Sequence, residues 1–258
     1  MATDTSQTKA RLDIGKVIQE TFGVYKRNIV PFGLAGLVLV GLPLAVSGLI
    51  QFSQFNLVQT NPSQAALFAL VMIPVAIVSG LASLLMMSSI TLSTIGQLDG
   101  QNTRLSDTYG RGGAALLGMI GQLILFSFGV GFGFLLLVVP GVMLATAWSV
   151  AMQARIVEGP GVFKAFKRSL FLTKGRRWSI LLLAIIVYVV MMSLFATQFS
   201  LTGGVITGAK NPIRLFLLQP LMSAIVNPFL AVGGAVLYHQ LRTLREGVGA
   251  QNVAEVFA

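Results

Sequence analysis

The amino-acid sequence predicts an all-α integral membrane protein with six transmembrane helices, and three observations predict it. First, only 10% of the 258 residues are charged while 55% are hydrophobic, and the mean hydropathy is +0.82. A soluble domain carries about 25% charged residues, so this chain lacks the side chains to cover a water-facing surface. Second, two long stretches hold no charge at all, the 71 residues from Asn28 to Leu98 and the 43 from Gly112 to Ala154. Third, the Lys and Arg residues gather between apolar runs. The densest group is RIVEGPGVFKAFKRSLFLTKGRRW (155–178), where seven basic residues accompany one acid, Glu158. A basic segment between two apolar stretches has the character of a cytoplasmic loop.

Taken in order, residues 1–11 are small and polar and are expected to be disordered. A helix follows, with Asp13 as N-cap. Ile14, Val17, Ile18, Phe22, Tyr25 and Ile29 share one face, and Lys16, Gln19, Glu20, Lys26 and Arg27 the other. This amphipathic helix is expected to lie at the membrane interface. The first uncharged run is too long for one crossing and suits two, at about 30–50 and 65–92, with a kink at Pro43 and Pro74 inside the second. The second run would extend about 65 Å as one helix, twice the hydrocarbon thickness. It must therefore turn back, with Pro140-Gly141 as the expected turn between spans at about 114–138 and 140–156. Spans five and six are expected at about 178–198 and 216–240. The domain so defined runs from 12 to 245, and 246–258 forms a polar tail.

Charge distribution gives an orientation. Sixteen of the eighteen basic residues fall on one side of this arrangement, and only Lys210 and Arg214 on the other. The positive-inside rule then places both termini in the cytoplasm, which requires an even number of spans. Six satisfies that requirement. The first 30 residues contain no apolar run of the signal-peptide kind, so insertion is expected to proceed through the first span.

Each odd-numbered span follows a basic lead-in: LDIGKVIQETFGVYKRN, the shorter TRLSDTYGRGG, and GVFKAFKRSLFLTKGRRW. The pattern is consistent with a threefold repeat of amphipathic segment and helical hairpin. In the third lead-in, Val162, Phe163, Phe166 and Leu170 share a face opposite Lys164, Lys167 and Arg168, with Pro160 expected at its first position and Gly175 at its stop.

The residue types present narrow the chemistry. With no cysteine and one histidine, His239, thiolate and transition-metal sites are not expected. None of the eight acids lies in mid-span, which argues against a proton- or sodium-coupled carrier. Gln122, Ser127, Thr146, Ser149, Gln153, Gln198, Gln219 and Asn227 suit interhelical hydrogen bonds better than a polar pathway. Gly129, Gly131 and Gly133 suit close helix packing better than phosphate binding. Glu158 is expected to form a salt bridge with Arg155 or with a basic residue of the next helix. No acid–base pair is visible, so no enzymatic activity and no cofactor are expected. The net charge of +10 sits at the ends of apolar runs, which points to anionic phospholipid of the cytoplasmic leaflet and away from nucleic acid.

The stretch from Pro140-Gly141 through Glu158 to Ala165, Arg168, Ser169, Leu172, Thr173, Gly175, Arg176 and Trp178, together with VYKRN at 24–28, resembles a family. That family consists of bacterial multi-span membrane proteins with the glycerophosphoryl diester phosphodiesterase membrane domain. The resemblance implies a bacterial inner-membrane location. It does not imply phosphodiesterase activity, which in the namesake belongs to a separate soluble barrel. The resulting expectation is a non-catalytic inner-membrane module that interacts with anionic lipid or scaffolds a membrane partner or a second copy of itself. The alternative is a transporter or channel for a lipid or small amphiphile. Candidate headgroup and interface residues are Lys26, Arg27, Arg155, Glu158, Lys164, Lys167, Arg168, Lys174, Arg176, Arg177 and Trp178.

Overall fold

The computed structural model describes residues 12–60, 64–202 and 211–247, and every element in them is helical. The expected N-terminal tail, the expected C-terminal tail from 248 on, and part of each of the loops after spans one and five lie outside the described residues. Helix α1 is Ile14–Arg27, capped by Asp13, whose side chain accepts from the Lys16 amide at 3.0 Å. Helices α2 (Ile29–Gly36) and α3 (Leu42–Thr60) form one rod through a π-helical turn at Leu37–Gly41. Helix α4 is Gln64–Leu98 and α5 is Tyr109–Leu136, with a 3₁₀ turn at Leu105–Thr108 between them. Then come α6 (Val138–Ala147), α7 (Ala151–Glu158), α8 (Val162–Thr173) and α9 (Arg177–Leu201). A second π turn at Arg214–Leu218 leads into α10, Gln219–Glu246.

Five of these stretches are long and apolar enough to cross a membrane: Ile29–Ser53, Ala66–Leu98, Leu105–Leu136, Arg177–Leu201 and Arg214–Glu246. The segment expected as a single span at 140–156 is two short helices, broken by a turn at 148–150. The preceding reversal also differs from expectation. It occurs at Leu137, in extended conformation, and Pro140-Gly141 sits inside the first turn of α6. An amide there has no intrahelical acceptor, so proline costs nothing. Gly141 instead lets α6 lie against α5, where a Cβ on Gly133 would come within 3.0 Å of the Gly141 Cα.

Proline also explains both π turns. Pro43 and Pro220 lack the amide that would bond the carbonyl four residues back, and their rings crowd it. Those carbonyls belong to Leu39 and Phe216, each in the middle of a π turn. The chain widens there, where a plain kink was expected at Pro43.

The core lies toward the charged end of the bundle. The last third of α4 is almost wholly buried from Met86 to Gly96, while its first half is mostly exposed. Helix α10 is the central element, packed against α1, α2, the first π turn and α4. It buries Ala224, Pro228, Ala231, Val232, Ala235, Val236, Tyr238 and Leu241. It also continues to Glu246, beyond the expected end of span six and into the first residue of the expected tail, with Leu241 fully buried. Contact with the α2–α3 rod depends on glycine: a Cβ on Gly36 would collide with the Ala224 carbonyl and the Pro228 ring, and one on Gly48 would lie 2.8 Å from the Leu215 carbonyl oxygen. By contrast, α9 packs mainly on α6 and enters the core only through Ile180 and Leu183.

The lead-in segments are not equivalent. Helix α1 is docked along α10 through buried Val17, Thr21 and Val24, while Phe22 of the expected apolar face is exposed and stacks on Phe229 at 4.9 Å. The second lead-in is one 3₁₀ turn. In the third, α8 starts at Val162 with Gly161 as its cap, and Pro160 belongs to the preceding linker. Helix α8 buries Ala165, Phe166, Ser169, Leu172 and Thr173 against α6 and α7, and Phe163 of the expected apolar face is 71% exposed. With the second lead-in so reduced, the three lead-ins do not match one another.

The glycine contact is directly testable. Gly36→Ala is expected to destabilise the protein by about 1–3 kcal/mol, the usual cost of overpacking. Gly33→Ala, on the same helix with open space around it, should stay within about 0.5 kcal/mol of the parent. Thermal unfolding in detergent compares the two, and equal losses would contradict the packing described.

Candidate functional site

The charged end is built on three consecutive α10 residues, which α-helical geometry fans about 100° apart. The Tyr238 hydroxyl donates to Glu158 Oε1 at 2.5 Å. His239 Nε2 lies 3.2 Å from Asp99 Oδ1. Gln240 Nε2 donates to Glu20 Oε2 at 2.9 Å. Three acids, from the end of α7, the end of α4 and the middle of α1, are thereby gathered on one turn. His239, expected to be solvated or bonded to a carbonyl, is paired with a carboxylate.

Glu158 makes the salt bridge expected of it, with Arg168 of α8 at 2.8 Å. Arg168 also reaches Glu246 at 2.5 Å, and Glu246 lies 3.3 Å from Arg242. Burial works to lower the Arg168 pKa, but hydrogen bonds to Glu246 and Glu158 outweigh it and hold the guanidinium above its ordinary value. Phe171 lies beneath Arg168 and Arg245, with ring centroids 5.9 and 4.7 Å from the guanidinium carbons. Its place on the basic side of α8, which interrupts the amphipathic pattern, is thus occupied by cation–π contacts.

The acids of the described residues are all engaged. Asp13 caps α1, Asp107 accepts from Ser106, and Glu20, Asp99, Glu158 and Glu246 have the partners above. The excess of basic charge therefore remains for something else. Lys164, Lys167 and Lys174 are exposed and make no ion pair, in a segment that also exposes Phe163 and Trp178, the latter at 84%.

The other candidates divide. Arg155 does not join the exposed basic face. It packs over Gly118 of α5, where any Cβ would collide with it, and its Nη1 donates to the Pro160 carbonyl. Arg176 donates to the Leu244 carbonyl at 3.3 Å, and burial followed by the nearby Arg245 charge lowers its pKa. Arg177 begins α9 half-buried. Lys26 and Arg27 are exposed on the last turn of α1, and Arg27 lines a groove with the loop after α4.

The polar residues of the spans mostly do not bridge helices. Thr146 and Asn227 bond carbonyls of their own helices, while polar atoms of Gln122, Ser149, Gln153 and Gln198 are buried without a partner. Close packing does explain Gly129, which faces the Trp148 indole, and Gly133, but Gly131 faces open space. Among the described residues no cluster of His, Cys, Asp or Glu could hold a metal ion. Sequence reasoning missed the pairs Asp99–His239, Tyr238–Glu158 and Arg168–Glu246, whose separations in the chain carry no local signal, and it also passed over the Arg242–Glu246 pair, whose i,i+4 spacing was legible. No family model, curated protein or solved structure matches the chain.

Removing the Tyr238 hydroxyl leaves Glu158 short of a donor while preserving the ring's packing. Tyr238→Phe should cost about 1.5–3 kcal/mol, the range for hydrogen bonds to charged groups. Lys167→Ala, on exposed surface, should stay within about 0.5 kcal/mol of the parent. Chemical or thermal denaturation of both variants gives the comparison.

Proposed function

We propose that the protein is a non-catalytic membrane module that engages anionic phospholipid of the cytoplasmic leaflet through its α8–α9 corner. One observation carries this reading: exposed, unpaired Lys164, Lys167 and Lys174 lie in the same segment as exposed Phe163 and Trp178. Aromatic side chains at the headgroup level and lysines whose stems lie along apolar surface are how proteins meet a charged bilayer face. In this reading α6 and α7 together make the fourth of six crossings, since 21 residues from 138 to 158 reach about 31 Å. The charged end faces the cytoplasm of a bacterial inner membrane, with α1 and α8 at the inner interface. The α1–α10 contact and the inward face of α8 are compatible with that placement.

A second reading, transport of a lipid or small amphiphile, has its own support. Gln122 and Gln153, with Ser89, Thr91 and Thr94 of α4, bury polar atoms without hydrogen-bond partners inside an apolar bundle, an arrangement that costs stability.

One reconstitution separates the two. Nanodiscs formed from equimolar phosphatidylcholine and phosphatidylglycerol should enrich phosphatidylglycerol around the parent protein. The Lys164→Gln/Lys167→Gln/Lys174→Gln variant should return toward the bulk ratio, at roughly 1 kcal/mol per charge. Equal enrichment would refute the lipid reading, and flux of a labelled lipid across vesicles containing the parent would favour the second.

The orientation has its own check, since the chain has no native cysteine to interfere. Single cysteines at Asn61 and Asn211 should react with an impermeant maleimide from outside the cell, and those at Ser106 and Lys164 should react only after lysis. The opposite pattern would invert the orientation.

A further inference from the structure

One cavity among the described residues, about 1130 Å³, is an open groove at the charged end of α4. It lies between α2, the C-terminal half of α4 and the loop leading to α5. We propose that it holds one anionic phospholipid, with the phosphate between Arg27 and Arg104 and an acyl chain descending along α2 and α4. The inference rests on the membrane orientation given above but not on the α8–α9 corner.

The groove changes character along its length. Arg27, Arg104 and Asn102 line one end, and Leu34, Val38 and Leu85 the other. Val38 is nine residues beyond Ile29, the start of α2, and Leu85 twelve before Gln97 on α4, distances of about 14 and 18 Å along their helix axes. One leaflet of hydrocarbon is about 15 Å thick. The groove thus passes from headgroup level to the end of an acyl chain within a single leaflet. Its volume exceeds the roughly 300–1,000 Å³ of ordinary small-molecule pockets, as an extended amphiphile requires. Leu34 and Val38 are more than half exposed along it, apolar surface that a soluble anion would leave uncovered.

The charge on its lining has one sign. Neither Arg27 nor Arg104 has an ion-pair partner among the described residues, and no carboxylate lines the groove. The two acids of the neighbouring loop are engaged elsewhere, Asp99 with His239 and Asp107 with Ser106. Guanidinium groups suit phosphate, to which they donate in pairs. No carboxylate is there to pair with the ammonium of a zwitterionic headgroup while two arginines face the phosphate, so the site favours net negative lipid over phosphatidylcholine.

The arginines stand on a held frame. Asn28 and Gln97 exchange amide hydrogen bonds of 2.8 and 3.2 Å, joining the start of α2 to the end of α4. Gln97 also donates to the Thr103 carbonyl at 3.5 Å, and Thr103 packs where any Cβ on Gly96 would collide. On the other side of Arg104, Leu105 is buried and the Thr108 hydroxyl donates to the Ser89 carbonyl at 2.9 Å. Arg104 is therefore presented from a loop fixed at both ends.

The test is native mass spectrometry of the intact protein in mild detergent, offered equimolar phosphatidylcholine and phosphatidylglycerol with identical chains. The parent should retain one phosphatidylglycerol. Arg27→Gln with Arg104→Gln should weaken the affinity for phosphatidylglycerol about 30-fold, which corresponds to two headgroup charges at roughly 1 kcal/mol each. Val38→Trp changes no charge and occupies exposed space in the lower groove. It should lose the lipid while unfolding at the parent temperature, which separates occlusion from misfolding. Excess inorganic phosphate should not displace the lipid; displacement would assign the site to a free anion. Equal retention of both lipids, or unchanged retention in the double arginine variant, would overturn the proposal. Loss of the retained lipid in the Lys164→Gln/Lys167→Gln/Lys174→Gln variant would place it at the α8–α9 corner instead. If that variant keeps the lipid but loses nanodisc enrichment, both sites stand. If it keeps both, the corner reading fails and the groove remains.

Discussion

Tyr238, His239 and Gln240 each bind an acid from a different part of the chain, and the charged end is assembled on that single turn of α10. The constraint is angular. Successive residues of an α-helix point about 100° apart, so a central helix can tie three neighbours with three consecutive side chains only if those neighbours surround it. Glu158, Asp99 and Glu20 arrive from α7, the end of α4 and α1. The Asp99 tie also fixes the end of α4, an apolar helix whose packing in lipid gains little from the hydrophobic effect. The arrangement uses up the acids of this end and leaves lysines and arginines without carboxylate partners.

Lower in the bundle the connection is made by fit rather than charge. Gly36 and Gly48 admit the backbone of α10 and the turn before it, and Pro43 and Pro220 each set a π turn four residues upstream. The two wider turns lie on the two chains that pack together there. Proline placement and glycine placement thus act on the same contact, one shaping the rods and the other letting them approach. Beyond it the packing thins, and the first half of α4 and most of α9 expose their apolar side chains.

How much of this could be read in the sequence depended on how local the cause was. Long uncharged runs marked all five continuous spanning helices, because desolvating a backbone requires consecutive apolar residues. The Asp13 cap and the Glu158 salt bridge were also legible, since each partner lies within ten residues or so. The break at 148–150 was not, because Trp148 and Ser149 are compatible with a helix and are drawn out of it by contacts with α5 and α8. Trp148 packs on Phe166 at 4.5 Å, and the Ser169 hydroxyl bonds the Ala147 carbonyl at 2.8 Å. Periodicity identified the face of α1 that meets protein, where Val17 is buried and Ile14, Ile18 and Tyr25 pack on the core, but in α8 it did not show which sector of the cylinder would do so. In α8 that sector is the one with Ala165, Ser169 and Thr173, where small side chains allow close approach. The Arg27–Arg104 groove joins residues 77 apart in the chain, and no spacing rule connects them.

The α5–α6 reversal at Leu137 is made entirely of apolar residues, from Phe132 through Val139, nearly all of them exposed. A chain that doubles back returns to the surface it left, however deep the bend reaches. Whether this bend emerges into water or stays among acyl chain ends, the parity of the remaining crossings is unchanged, and the first and last helices keep their common side. Insertions or truncations confined to that bend would alter its depth while leaving the first and last helices together, so the assembly of the charged end is decoupled from the least polar part of the fold.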